Sequence, residues 1–196
     1  MNNRIASWPI LVCIFVASLL PVPRLHAEEA IGLFFDEECG SCSAQLNAGE
    51  QTTLFIRAVR GGPTGSYPLT QAEFRVVGMP GDWSVSCVPN LLANVVIGDP
   101  FGGGTDIAFG AGIEGTCVEL FTCTVTASSS DLVRLAIVAH TTNPQFPGNC
   151  PFIRCNQPPV ICAVCVPRGE AIINGPECTV ATLPSTWTGI KRLYKH

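Results

Sequence analysis

The sequence predicts an all-β fold, an antiparallel sandwich with a disulfide-rich C-terminal extension. Three observations predict it: runs of five to ten residues are rich in β-branched or aromatic side chains, Gly, Pro, Asn or Asp separates these runs, and no helical period continues beyond two turns. Cysteines are concentrated toward the C-terminal end, which predicts that covalent bridges supplement the core.

Residues 1–27 are the first element and are predicted to be a signal peptide. A basic start at Arg4 is followed by the apolar run from Ile5 to Val22 and by the small residue Ala27, after which we expect cleavage. A retained membrane anchor is the alternative, but the run of 18 residues only just reaches spanning length and contains two prolines. We therefore expect a secreted protein, extracellular or periplasmic, with no membrane span after cleavage.

The charge balance argues against nucleic acid as a partner. Two of the eleven basic residues lie in the signal peptide, so cleavage would leave nine basic against fifteen acidic side chains. An acidic chain without a basic cluster lacks the surface that neutralises phosphates. The remaining 169 residues suit one domain of ordinary size with a small appendage.

Residues 28–142 are predicted to form the sandwich. In the clearest strand Ala72, Phe74 and Val76 share one face, whereas Glu73 and Arg75 lie on the other. Because side chains alternate across a strand, the apolar set is expected to face the core. Further strands are predicted at Ala30–Asp36, Thr52–Arg60, Leu92–Ile97, Thr105–Phe109, Thr116–Val125 and Val133–Ala139.

The extension comprises residues 143–184 and begins where the composition shifts to Pro, Asn and Cys. It holds half of the ten cysteines that remain after cleavage. Regular structure is expected again at Ala171–Ile173 and Cys178–Val180. Asn174-Gly175 between them is a strong turn signal, so the sequence predicts a β-hairpin here.

The ten remaining cysteines are an even number, which in an exported chain predicts five disulfides. Spacing does not determine which cysteines pair, so the connectivity stays open. The predicted disulfide cysteines are Cys39, Cys42, Cys87, Cys117, Cys123, Cys150, Cys155, Cys162, Cys165 and Cys178.

The segment Cys39-Gly40-Ser41-Cys42 leaves two other interpretations open. Its spacing is that of thiol–disulfide oxidoreductases, in which a thiolate attacks a substrate disulfide, so the alternative function is an exported oxidoreductase using Cys39 and Cys42. Such sites begin a helix, whereas the surroundings here indicate β structure. Together with Cys162 and Cys165, the pair would instead complete the four ligands of a zinc-stabilised module.

Two glycine-rich segments imitate ligand-binding loops. Gly110–Gly115 matches G-x-G-x-x-G, but a strand follows it where a dinucleotide site needs a helix, so we expect a hairpin loop. Asp99 and Asp106 would supply carboxylates to a calcium ion, or their segment is a plain glycine turn. No G-x-S-x-G or H-E-x-x-H motif occurs in the sequence. We therefore predict a protein that is not an enzyme and has no cofactor.

Several segments resemble cohesin modules in their order along the chain. They are Asn47-Ala48-Gly49-Glu50, the strand 52–59, Ala72-Glu73-Phe74-Arg75-Val76 with Gly78-Met79-Pro80, and then 104–109 and 132–139. This resemblance covers about residues 30–140 and implies an immunoglobulin-like or cohesin-like sandwich. It does not justify carrying over the dockerin binding of cohesins, because cohesins lack this density of cysteines. The whole chain looks like uncharacterised secreted bacterial proteins that end in a W-x-x-I-K-x-L-Y run.

The tail that carries this run, residues 185–196, is basic and aromatic. Trp187, Ile190, Leu193 and Tyr194 are spaced so that one side of a short helix gathers them. We interpret the tail as a docking element, with packing on its own sandwich as the alternative. The expected function is a secreted structural or binding module that contacts protein or glycan at the cell surface.

Overall fold

A computed structural model describes residues 30–61, 67–141, 150–157, 160–165 and 169–178, with Gln157 and 160–165 described by their backbone alone. Twelve strands occur in this part of the chain. They are β1 (Ala30–Phe34), β2 (Ser43–Ala44), β3 (Gln51–Val59), β4 (Leu69–Val77), β5 (Ser84–Pro89), β6 (Val95–Asp99), β7 (Gly104–Ile113), β8 (Cys117–Thr126), β9 (Val133–Val138), β10 (Phe152–Gln157), β11 (Val160–Cys165) and β12 (Glu170–Ile173).

The strands form two sheets. The first is antiparallel and has the order β1-β3-β8-β5. In the second sheet β4 is central. On one edge of β4 lies β7, and β6 pairs with the outer edge of β7. On the other edge, β10 pairs with the first half of β4 and β9 pairs with its second half. Beyond β9 the sheet continues with β12, which pairs antiparallel with β9, and with β2, which pairs parallel with β12.

The core lies between the two sheets and follows the alternation of the sequence. Ala72, Phe74 and Val76 are buried on one face of β4, as predicted. The rings of Phe74 and Phe121 meet edge to face across the sandwich, with centroids 6.1 Å apart. Each large apolar side chain buried in this way stabilises the fold by about 1.5–3 kcal/mol. The predicted fold class is therefore confirmed as an all-β sandwich with disulfide-linked C-terminal strands.

The C-terminal strands are integrated into the second sheet. Ile153 of β10 lies opposite Ala72 of β4, and Ile172 of β12 lies opposite Arg134 of β9. A hairpin does occur here, but β10 and β11 form it. The second strand of the hairpin predicted at Asn174-Gly175, Cys178–Val180, lies mostly outside the described residues, and β9 and β2 pair with the two edges of β12.

Two further expectations need correction. Glu73 was expected on the solvent-facing side of β4, yet only 5% of it is exposed. Gly110–Gly115 was expected to be a hairpin loop, but β7 and β8 belong to different sheets, so this segment crosses from one sheet to the other. The part of the chain that the structure describes contains no helix long and apolar enough to cross a membrane.

Candidate functional site

Disulfides connect distant parts of the described chain. Three bridges are seen in full: Cys39–Cys117, Cys42–Cys178 and Cys87–Cys123. The last of these joins residues that face each other on neighbouring strands, with Cα atoms 4.0 Å apart. Cys150 and Cys155 are also disulfide-bonded. The side chains of Cys162 and Cys165 lie outside the described residues.

The disulfides that Cys39 and Cys42 form with distant cysteines do not support the redox and zinc interpretations. An oxidoreductase needs these two sulfurs to form one bridge with each other, but each is bonded to a cysteine 78 or 136 residues away. A zinc site needs both as thiolates, and a bridged sulfur is not a thiolate. Both cysteines therefore cross-link distant segments of the chain. Neither is free for chemistry.

The two aspartates weighed as calcium ligands are used separately. Asp99 Oδ1 accepts a hydrogen bond of 3.0 Å from the backbone N–H of Phe101 and so closes its own turn. Asp106 accepts hydrogen bonds of 2.9 and 3.0 Å from Nε2 of Gln71. Within the described ranges no three His, Cys, Asp or Glu side chains lie close enough together to hold a metal ion.

An acidic pair, in which Glu73 is buried and Asp106 is half-buried, lies on the outer face of the second sheet. Glu73 of β4 and Asp106 of β7 are direct cross-strand neighbours. Glu73 Oε2 is buried without a hydrogen-bond partner in the described chain. Desolvation of this carboxylate, and secondarily the charge of Asp106, raise the pKa of Glu73 above its ordinary value. Arg75 of β4 and Arg154 of β10 are placed on the same face by the strand alternation and register.

The raised pKa of Glu73 predicts that the contribution of this residue to the free energy of unfolding falls as the pH rises. The folded state holds the Glu73 proton more tightly than the unfolded state, so its stabilising effect is complete below the ordinary glutamate pKa of about 4.3 and is lost as the pH passes the higher folded-state pKa. We expect Glu73→Gln to raise the melting temperature at pH 7 and to change it little at pH 4.

Melting curves between pH 4 and 8 would measure this effect. The control is Glu170→Gln, which replaces an exposed glutamate at the start of β12. It should leave the pH dependence of the melting temperature as it is in the wild type. A Glu73→Gln variant that is less stable than the wild type at pH 7 would contradict the prediction.

Exposed apolar side chains are concentrated where the chain passes from the first sheet to the second. We call this set the β5–β6 patch, and it consists of Val88, Leu91, Leu92, Val95, Val96 and Ile97. Leu91 is 94% exposed and Ile97 is 63% exposed. The patch includes the outermost strand of each sheet, β5 and β6, and the turn between them. Single exposed apolar residues are ordinary, but several of them in one segment of the chain make that segment a candidate for an interaction surface.

The turn that presents the two leucines is fixed by two asparagines. Asn90 donates from its backbone N–H to the carbonyl of Leu120 at 2.9 Å and from Nδ2 to the carbonyl of Glu119 at 2.8 Å. Its Oδ1 accepts from the backbone N–H of Leu92 at 2.9 Å. Asn94 then anchors the start of β6 through a 2.9 Å bond from its backbone N–H to the carbonyl of Ala108. The leucines are therefore exposed on an ordered support.

The sequence pattern does not identify this patch. It predicts a strand at Leu92–Ile97, and an apolar run of this kind is equally consistent with a buried strand. Exposure follows from the position of β6 at the margin of the sheet, which the run itself does not reveal. The predicted signal peptide and the docking tail with Trp187, Ile190, Leu193 and Tyr194 lie outside the described residues.

Comparison with other proteins gave structural likeness only. No protein-family model and no curated protein sequence matches the chain. The structure is similar to a cohesin module of a family 33 glycoside hydrolase from Clostridium perfringens, with 11% identity and a TM-score of 0.48 over 74% of this chain and 98% of that one. The sixth cohesin of Acetivibrio cellulolyticus scaffoldin B, solved with a dockerin, has 13% identity and a TM-score of 0.48 over 76% and 99%.

A non-cellulosomal cohesin from the archaeon Archaeoglobus fulgidus has 13% identity and a TM-score of 0.44 over 87% of this chain and 100% of its own length. The dockerin is the partner of the Acetivibrio cohesin in that complex. The β-sandwich is thus similar, remotely, to cohesin modules from these three organisms.

Proposed function

We propose that this protein is a secreted, non-catalytic module that binds a protein partner through the β5–β6 patch. The observation that supports this is an apolar surface held open on an ordered turn, where Leu91 and Leu92 are mostly exposed. Burying such side chains against a partner yields hydrophobic free energy, while the preformed turn keeps the ordering cost low.

The composition of the patch favours a protein over a glycan as the partner. Its six side chains are all aliphatic and offer neither hydrogen-bonding groups nor charges. In protein interfaces such apolar residues form the dry centre, which a polar rim surrounds. Residues 76–133, which include the patch, contain six acidic residues and no Lys or Arg. A partner with basic residues around an apolar centre would be complementary to this surface.

The cysteine chemistry supports a non-catalytic role. Both members of the Cys39-Gly40-Ser41-Cys42 segment are used in long-range bridges, which fit a protein that works under oxidising conditions. Export through the signal peptide 1–27 and docking through the tail 185–196 are further parts of this proposal.

We expect the double variant Leu91→Ser/Leu92→Ser to weaken binding to the surface of the cells that secrete the protein by about tenfold or more, because two well-exposed anchors are removed. Binding of the labelled mature protein to whole cells would be measured by titration. Leu132→Ser is the matched control, since Leu132 is 53% exposed but lies outside the patch, directly before β9.

Pretreating the cells with a protease should abolish binding if the partner is a protein, and a glycosidase should abolish it if the partner is a glycan. Equal binding of the wild type and the double variant would refute the contact role of the patch. Both variants should keep the wild-type melting temperature, since they change exposed side chains.

A further inference from the structure

The outer face of the first sheet carries two rows of hydroxyl and amide side chains, which we call the hydroxyl face. The rows cross β5, β8 and β3 and consist of Ser84, Thr126 and Gln51, and of Ser86, Thr124 and Thr53. Val125 and Leu54 alternate with them and are fully buried, so the rows face outward. Neighbouring side chains are about 4.8 Å apart across the strands and about 7 Å apart along them.

A groove of about 520 Å³ lies at the margin of the hydroxyl face. Its lining consists of Phe35, Gln51, Thr52, Thr53 and Thr124. The groove lies beside the first part of β3, because β1 pairs only with residues 55–59 of that strand. Its volume is within the range of small-molecule sites, about 300–1,000 Å³, which combine apolar contact surface with a few polar groups. One aromatic ring and several hydroxyl and amide groups therefore meet in this groove.

The next row on the same face ends in an aromatic ring that is held in place. It contains Phe55 and Thr122, together with Val88. The guanidinium of Arg57 lies 4.8 Å from the centroid of the Phe55 ring. Nη2 of Arg57 is also 3.3 Å from a carboxylate oxygen of Glu119. The three rows thus contain no charged side chain, and the charged residues in the row beyond them are paired with each other.

We infer that the hydroxyl face and its groove bind a neutral polysaccharide. This surface is separate from Leu91 and Leu92, so the inference goes beyond the proposed function. A sugar ring carries hydroxyls at its edge, and these pair with the hydroxyls of the rows, each of which both donates and accepts. The C–H groups on the face of the ring pack against Phe35. Threonine side chains are stiff at χ1, so their hydroxyls are already oriented and the ordering cost of binding is low.

The charge and composition of the face select this class of partner. Nucleic acids and acidic polysaccharides are bound by basic side chains, and the three rows contain none. The binding energy of protein interfaces is concentrated in Trp, Tyr and Arg, whereas Ser and Thr are under-represented among their strongest contacts. A neutral polysaccharide needs neither kind of residue, because hydroxyl and amide groups satisfy its own hydroxyls.

The test is electrophoresis of the mature protein, residues 28–196, through native gels that each contain one soluble polysaccharide. Hydroxyethylcellulose, xyloglucan, galactomannan and dextran are the neutral probes, and polygalacturonate is the acidic one. We expect at least one neutral polysaccharide to slow the wild type and polygalacturonate to leave it unaffected. Thr53→Val/Thr124→Val removes two hydroxyls while keeping side-chain shape and strand preference, so this variant should bind about tenfold more weakly.

Thr116→Val is the matched control, because Thr116 is exposed but lies directly before β8, outside the rows. It should be slowed as the wild type is, and both variants should keep the wild-type melting temperature. The inference is overturned if no neutral polysaccharide slows the wild type, if polygalacturonate alone slows it, or if Thr53→Val/Thr124→Val is slowed equally. Leu91→Ser/Leu92→Ser should bind the polysaccharide normally. Loss of this binding in that variant would place the polysaccharide at the leucines and contradict the inference.

Discussion

Reduction of the folded protein is expected to lower its melting temperature by about 15 °C or more. Each bridge contributes about 2–4 kcal/mol by restricting the unfolded chain, and three bridges are seen in full. In a domain of this size each kcal/mol corresponds to about 2–4 °C. The combined effect approaches the total stability of an ordinary domain, which is about 5–15 kcal/mol.

The measurement compares melting curves of the oxidised protein and of the protein after reduction and alkylation. Intact mass would count the alkylated cysteines at each reductant concentration. We expect the Cys39–Cys117 bridge to be reduced first, because both of its cysteines are half-buried, whereas each of the other two bridges has one buried cysteine, Cys42 or Cys123. A melting curve that reduction leaves unchanged would show that the bridges do not stabilise the fold.

Replacing Gly78 by alanine is the single substitution for which we expect the largest loss of stability, about 3 kcal/mol or more. Gly78 follows β4 and has a φ of 96°, which L-residues rarely adopt. A Cβ atom built on it would lie 2.0 Å from the backbone oxygen of Arg134 in β9. Relief would require β4 and β9 to move apart, and this junction carries the register of the second sheet.

Two other glycines separate the effect of the positive φ from that of the steric clash. Gly49 has a φ of 86° and Gly81 does not have a positive φ, and a Cβ on either would meet no described atom within 4 Å. We therefore expect Gly49→Ala to cost only the backbone strain of about 1–2 kcal/mol and Gly81→Ala to cost almost nothing. Urea unfolding of the three variants would measure the series. Equal stability of Gly78→Ala and Gly81→Ala would refute the steric argument.

The strands were predictable wherever one face is buried and the other is exposed. The alternation in β4 and β9 placed Phe74, Val76 and Leu135 on the core face, where all three are buried. The strand at Ser84–Pro89 was missed because serines occupy its outer face and a cysteine and a proline its inner one, so it lacks a clear apolar period. The local pattern therefore yields strands but not their neighbours.

What the sequence did not reveal depends on contacts between distant segments. The connectivity of the cysteines follows from which strands become neighbours, as the bridge between Cys87 and Cys123 illustrates. The burial of Glu73 requires knowing that β7 and β10 both pair with its part of β4. The exposure of the β5–β6 patch likewise depends on the end position of β6 in its sheet, which no local pattern encodes.

The pairing of β2 with β12 sets an order of events for a chain made from its N-terminus. Ser43 and Ala44 meet Ile172 and Ile173, and the backbone N–H of Leu46 donates to Asn174 Oδ1, 128 residues away, at 2.6 Å. Contacts of such high sequence separation form late, because a long loop must close before any of them stabilises the fold. The first sheet contains no strand beyond Thr126, so its partners are all present well before β12 is synthesised. One of the first segments made thus waits for one of the last, and a chain truncated before Glu170 leaves β2 without its strand partner.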